Sequence, residues 1–263
     1  MKNSWDIDTL RHYVQEAALR SFTPYSGLPR AALVLMSDGA WACGVRIENA
    51  SYSLVIPALS SALVSTASIG RKDIVAILFS GPVKQEEKIA ILQTVTPSLD
   101  QLDKDFFGTP GCTYRIGNQL TMGKHFSKPI DPNTGIRIAR HAAEYADIPE
   151  SNFPVGAIAV TDKLQYFQGA NIEHPDWTRI LCAERAAIAT AMSAGGSNIR
   201  NIYVSCPKST AASPCGACRQ VLYEVAPKST VWFDRGNQAP RRFRTKDLLP
   251  EAFRLTNHHR ISS

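Results

Sequence analysis

Apolar positions recur at helical spacing over residues 7–21 and again over 136–146, and each stretch runs into a proline-containing turn. Two strand-like apolar runs follow each of them. In the first set these are residues 31–37 and 41–48 about an Asp38-Gly39 turn; in the second they are 155–161 and 165–173 about Asp162-Lys163. Alanine-rich helices are predicted next, at 57–69 and 182–194, the second stopped by Gly195-Gly196. A short β-branched run then closes each set, at 74–79 and 199–205. Strands interleaved with helices predict an α/β sandwich with a mixed sheet in each half.

The two sets are related by one shift of 125 residues, held without a gap from Leu28 to about Ser80. Leu28-Pro29 corresponds to Phe153-Pro154, Gly44 to Gly169, Ile47 to Ile172, Glu48 to Glu173, Ala58 to Ala183, and Ile74 to Ile199. Such a register points to a duplicated domain. A length of 263 residues suits two domains of ordinary size. The expected division is 1–107 and 135–263, joined by a linker at 108–134 that is rich in Gly, Pro, Asn and Lys.

Composition adds a few limits. With 44% hydrophobic and 20% charged residues, the chain has the make-up of a folded globular protein. No stretch approaches the ~20 apolar residues of a membrane span, so no membrane partner is expected. The start MKNSWDIDTL lacks the basic-then-apolar pattern of a secretory leader, which leads to an expectation of the cytoplasm. The net charge of +6 concentrates near the end, in Arg241, Arg242, Arg244, Lys246, Arg254 and Arg260. A solvated basic face is the expected reading, rather than a nucleic-acid site.

Six cysteines, at 43, 112, 182, 206, 215 and 218, are expected to be thiols in such a compartment. Cys43, Cys112 and Cys206 have no motif around them and read as small apolar residues. The other three are clustered at helix starts: Cys182-Ala183-Glu184-Arg185 opens one helix and Pro214-Cys215-Gly216-Ala217-Cys218 opens another. Cys215 and Cys218 lie one helical turn apart, so both sulfurs share a face, and the free backbone N–H groups there favour thiolate. Three sulfur ligands suit tetrahedral zinc with its fourth position left for water. Glu184, two residues past Cys182, then stands as a carboxylate beside that water, and Arg185 is the candidate cation to offset the charge of three thiolates.

At these residues the chain resembles the cytidine deaminase family, whose zinc signature has a His or Cys, a Glu two residues on, and a distant Pro-Cys-x-x-Cys. Here it reads Cys182-x-Glu184 and Pro214-Cys215-x-x-Cys218, with Cys215 standing 33 positions past Cys182. Asn171-Ile172-Glu173 looks like the family's ribose-binding Asn-x-Glu, and Phe153 matches the aromatic residue lining its nucleoside pocket, which Ala183 also joins. Leu248-Leu249-Pro250-Glu251-Ala252-Phe253 resembles the C-terminal segment whose phenylalanine reaches a pyrimidine ring across a subunit boundary. Glu48-Asn49-Ala50-Ser51-Tyr52 resembles the segment with which single-domain members complete a neighbour's site.

The resemblance implies two tandem cytidine-deaminase-like α/β/α sandwich domains, the first degenerate. At the common shift Cys182 becomes Pro57, Glu184 becomes Leu59, Arg185 becomes Ser60 and Asn171 becomes Arg46. It further implies one Zn²⁺ per chain on Cys182, Cys215 and Cys218, Glu184 as the proton-shuttling catalytic residue, Phe153, Asn171, Glu173, Ala183, Phe253 and Tyr52 at the substrate, and a homodimer. The implied reaction is hydrolytic deamination of cytidine or deoxycytidine to uridine or deoxyuridine, as in pyrimidine salvage. A deaminase of a modified or antibiotic cytosine nucleoside and a non-catalytic zinc-stabilised binding protein remain as alternatives. In the two-domain relatives of this kind the active half comes first and uses His; here it comes second and uses Cys182.

Overall fold

The computed structural model describes residues 7–95, 98–176 and 179–255. In the first half, α1 (Ile7–Ala18) precedes the hairpin β1 (Ala31–Met36) and β2 (Trp41–Val45). These lead to α2 (Ala58–Ala67), β3 (Ile74–Phe79), α3 (Gln85–Thr94), β4 (Asp100–Asp103) and β5 (Phe106–Gly108). After β6 (Gly123–His125) the second half runs α4 (Pro132–Ala142), β7 (Gly156–Thr161), β8 (Gln165–Ala170), α5 (Ala183–Ser193), β9 (Ile199–Ser205), α6 (Gly216–Val225), β10 (Thr230–Arg235) and β11 (Gln238–Arg244). The helices and strands predicted from apolar spacing stand where it places them, to within a few residues at their ends, and α3, β4, β5, β6, β10 and β11 are added to them.

Two sheets result, ordered β2-β1-β3-β5-β4 and β11-β10-β9-β7-β8-β6. Alternation along β1 sends Leu33 and Leu35 to the face covered by α1, and Ala32, Val34 and Met36 to the face covered by α2 and α3. In the second half Ile158 and Val160 meet α4, while Ala157 and Ala159 meet α5. Each half is thus an α/β/α sandwich.

The expectation of a mixed sheet holds for the second half, where β9 and β10 are parallel. The first sheet differs, because every one of its pairings is antiparallel. Parallel pairing needs a crossover that delivers the next strand directly. Here the chain leaving α3 first forms β4, then turns at Asp103-Lys104-Asp105, so β5 meets β3 head to tail. Residues 108–134 do more than connect the halves: Gln119 bridges to Trp41, and Gly123–His125 add an edge strand to the second sheet.

The two halves pack through α2 and α5 in reciprocal fashion. The amide of Val45 donates to Ser193 Oγ at 3.2 Å, and the amide of Ala170 donates to Ser68 Oγ at 3.0 Å. Val45 and Ala170, like Ser68 and Ser193, are partners under the shift of 125 residues, so the contact is self-complementary as in a two-fold dimer. Burial on both flanks explains the alanine content of α5, in which ten residues are buried, Glu184 and Arg185 among them. Small side chains also let α2 and α5 press onto their strands. A Cβ on Gly44 would lie 2.0 Å from the amide nitrogen of Ala62, and one on Gly169 would lie 2.2 Å from that of Ala187.

Candidate active site

Cys182 is the N-cap of α5 and Cys215 the N-cap of α6, both with extended backbone, while Cys218 lies in the first turn of α6. Parallel pairing of β9 and β10 carries α6 over the sheet and sets its N-terminus beside that of α5. The three sulfur atoms lie within 4.8 Å of one another. Cys182 Sγ and Cys215 Sγ are 3.8 Å apart, and Cys215 Sγ accepts from the Cys218 amide at 3.5 Å. Two sulfurs bonded to a tetrahedral zinc at about 2.3 Å stand about 3.8 Å from each other, so the donor set fits that ion.

The protonation pattern argues the same way. Hydrogen bonds from the Cys182 and Cys218 thiols hold Cys215 far below an ordinary thiol. The same contact with Cys215, together with burial, pushes Cys182 up to about 12, and Cys218 is raised well above its ordinary value by its two thiol neighbours. One thiolate is accommodated; three this close need a cation among them.

Glu184 is 4% exposed and its carboxyl meets the Cys218 thiol. Burial raises its pKa against the opposing pull of its own backbone amide. Cys182, Glu184 and Cys215 open into a cavity of about 330 Å³ whose walls include Phe153, Asn171, Glu173, Val204 and Phe233. Its size falls within the range of small-molecule sites.

The far wall is a hydrogen-bonded frame. Asn171 Oδ1 accepts from the Val155 amide at 2.8 Å, and its Nδ2 donates to the Phe153 carbonyl at 3.0 Å. Glu173 accepts from the amides of Glu150 and Ser151 and from the Ser151 hydroxyl. Each side chain keeps a further donor or acceptor position for a ligand. Sequence reasoning misses Ser151, although a signal exists: it matches Ser26 at the common shift. Cys206 and Asp234, also on the cavity wall, carry no such signal. Cys206 is buried, as a small apolar residue would be, whereas Cys112 is exposed.

Four of the sequence candidates are placed elsewhere in the single chain. Ala183 is fully buried inside α5, and Tyr52 and Phe253 are 64% and 54% exposed outside the cavity. Phe253 is tethered through its carbonyl, which accepts from Gln220 Nε2 at 3.0 Å. Arg185 leans toward the first half, donating from Nη2 to the Leu54 carbonyl at 3.3 Å, and its Nε has no partner among the described residues. Of the basic residues near the end, Arg241 and Arg242 lie over Phe243 and Trp232 on the outer strands, and Arg260 is outside the described residues.

Both halves of the chain match models of one protein family. Residues 131–234 match the family described as "Cytidine and deoxycytidylate deaminase zinc-binding region", and residues 1–88 match a second model of the same description. A cytidine deaminase of Halalkalibacterium halodurans is 36% identical over 125 residues, covering 47% of this chain and 95% of that protein. One from Mycobacterium tuberculosis is 38% identical over 117 residues, covering 44% and 85%. The solved cytidine deaminase of Burkholderia pseudomallei, 36% identical, aligns with 47% of this chain and 100% of its own with a TM-score of 0.45. The zinc-binding-region matches and relatives covered over most of their length place this chain in the cytidine deaminase family.

Proposed function

We propose that this chain hydrolyses cytidine and deoxycytidine to uridine and deoxyuridine with release of ammonia, in pyrimidine salvage. The observation that carries the reading is the convergence of the Cys182, Cys215 and Cys218 sulfurs, with Cys182, Cys215 and the buried Glu184 opening into one cavity that Asn171 and Glu173 wall. Cys182, Cys215 and Cys218 hold the zinc, one per chain, since Pro57 and Leu59 stand at the corresponding places of the first half. When bound, the ion lowers the pKa of water toward about 7 and so supplies a nucleophile at neutral pH.

Glu184 moves the protons. Its buried carboxyl holds a proton more readily than an exposed one. It takes a proton from the attacking water and gives it to N3 of the cytosine ring, then takes the proton of the new C4 hydroxyl and gives it to the amine, which leaves as ammonia while C4 becomes a carbonyl. Asn171 and Glu173 hold the ribose hydroxyls through their unused positions, and Phe153 packs on the nucleoside. Arg185 offsets the charge of the thiolates after turning from Leu54. Ala183 supports the site from inside α5. Phe253 and Tyr52, remote from the cavity in one chain, complete it from a second copy in a homodimer. We assign residues 1–107 to a degenerate domain, 108–134 to the connection and 135–263 to the catalytic domain. The reducing cytoplasm suits a thiolate site of this kind.

The test is loss of cytosine absorbance on mixing the zinc-loaded protein with cytidine, deoxycytidine and a panel of modified cytosine nucleosides. Turnover that Glu184→Gln abolishes while one zinc per chain remains bound supports the reading. No turnover of any nucleoside by a zinc-loaded chain overturns it.

A further inference from the structure

α6 carries Cys215 at its N-cap and Cys218 in its first turn, and it packs into the second half through Val221 and Leu222. Apolar contact is non-directional, so the exact seat of a helix is better set by hydrogen-bonded groups. Arg219 donates to the carbonyls of Pro214 and Leu248, and Gln220 to that of Phe253, all within the second half. Glu224, in the last turn, reaches the first half instead. Its two carboxylate oxygens accept from the Ala50 amide at 3.1 and 2.9 Å, and Oε1 also accepts from the Tyr25 hydroxyl. At 1.5 Å per residue this grip lies about 13 Å along the axis from Cys215.

The donors are built into the first half's frame. Glu48 accepts from the amides of Tyr25 and Ser26, which holds the Tyr25 loop against the segment that carries Ala50. Ala50 is itself buried. Burial and the Glu224 carboxylate push the Tyr25 hydroxyl upward, so it remains a donor. The second half has no equivalent pair to offer α3. Under the shift of 125 residues Tyr25 becomes Glu150 and Ala50 becomes Pro175, and proline has no N–H to give. Both halves keep the frame, but the paired donors belong to the half without the thiol ligands.

We propose that Glu224 is a positioning residue: the first half grips it through Tyr25 and Ala50, and so fixes the seat of α6 and the place of Cys215 and Cys218 around the zinc. The inference rests on the zinc site of the proposed deaminase, and it gives a task to the half that lacks the ligands. Thiolates bind a tetrahedral ion at about 2.3 Å, so a small slide of α6 spoils the fit. A carboxylate held by charge-assisted hydrogen bonds resists that slide.

Competition between the full zinc-loaded chain and a colorimetric chelator tests the proposal without using turnover. Glu224→Ala should hold zinc about tenfold less tightly or worse, the range expected when a group that orients metal ligands is lost. Glu224→Gln, which keeps an oxygen for the Ala50 amide, should recover part of that loss. Tyr25→Phe should weaken zinc in the same direction by less. Ser68→Ala removes an inter-half contact away from α6, the one to the Ala170 amide, and should lower the thermal midpoint with zinc affinity unchanged. Circular dichroism checks that each variant is folded; if Glu224→Ala is not, Tyr25→Phe decides, since it removes a single oxygen. Parental zinc affinity in a folded Glu224→Ala chain overturns the proposal. An equal loss of affinity in Ser68→Ala also overturns it, because the effect would then be one of general inter-half stability. A parent chain that takes up no zinc sinks the metal site and this proposal together, whereas a chain that holds zinc but deaminates no nucleoside sinks only the reading of its activity.

Discussion

The two halves share a frame and differ in what is mounted on it. In the second half Glu173 gathers the amides of Glu150 and Ser151 and the Ser151 hydroxyl; in the first, Glu48 gathers the amides of Tyr25 and Ser26 and the Ser26 hydroxyl. These are the same positions under the shift of 125. The helix starts agree as well, since Pro57 caps α2 at φ −61° and ψ 151° and Cys182 caps α5 at φ −68° and ψ 156°. Proline occupies the ligand's place because that backbone conformation suits it and an N-cap amide is not needed for the helix. Loss of the metal ligand therefore left the scaffold intact. Folding requirements, met by backbone and frame, are separable here from the chemistry, which rests on a few side chains.

Substitutions at matched positions sharpen that contrast. The largest effect is expected at the mounted chemistry: Glu184→Gln should lower kcat by about 10³-fold or more with zinc retained, and Cys215→Ala should release the zinc, read by metal analysis. Leu59→Glu in the first half should create neither activity nor a second zinc. Next come the tight glycines. Gly44→Ala and Gly169→Ala both force a Cβ against helix backbone and should each destabilise by about 3 kcal/mol, a comparable drop in thermal midpoint for both. Unequal drops would show that the halves do not share the close approach equally.

At the frame the halves should part company. Glu48→Gln should cost about 1–2 kcal/mol in chemical denaturation and leave KM unchanged, because its partners are Ser26, Tyr25 and Arg46 in the first half. Glu173→Gln should raise KM for cytidine. The smallest effect is the pH dependence of Asp234. Burial works to raise this carboxyl, but Arg140, Ser205 and the Gly236 amide outweigh it and hold it below the usual carboxylate range. A depressed carboxyl stabilises above its ordinary pKa and loses that contribution as pH falls through the folded value. Asp234→Asn should therefore be destabilised by about 1 kcal/mol at neutral pH, with the difference from the parent chain shrinking below about pH 4.

Much of the frame is legible in the residues alone. Helical spacing in 7–21 and alternation in β1 and β7 follow from the need to bury one face, so elements emerge where that need is strong. The thiol cluster is legible because helix starts and the 33-residue spacing are local facts of the chain. Ser151 escapes such a reading because its partner Glu173 is 22 residues away and the bond depends on how the loop folds back. The antiparallel β5 escapes it because a short exposed strand such as β4 carries no apolar pattern.

The sequence by itself determined the duplication, the elements common to the two copies, and which half carries the metal-ligating thiols, since all of these are properties of spacing and residue type. Tertiary structure alone decided the pairing direction of the last strands in each half, the reciprocal seating of α2 against α5, the bond from Arg185 to the Leu54 carbonyl, and a second cavity between the halves. Those depend on contacts between residues far apart in the chain, where many side chains settle together and no single position carries the signal.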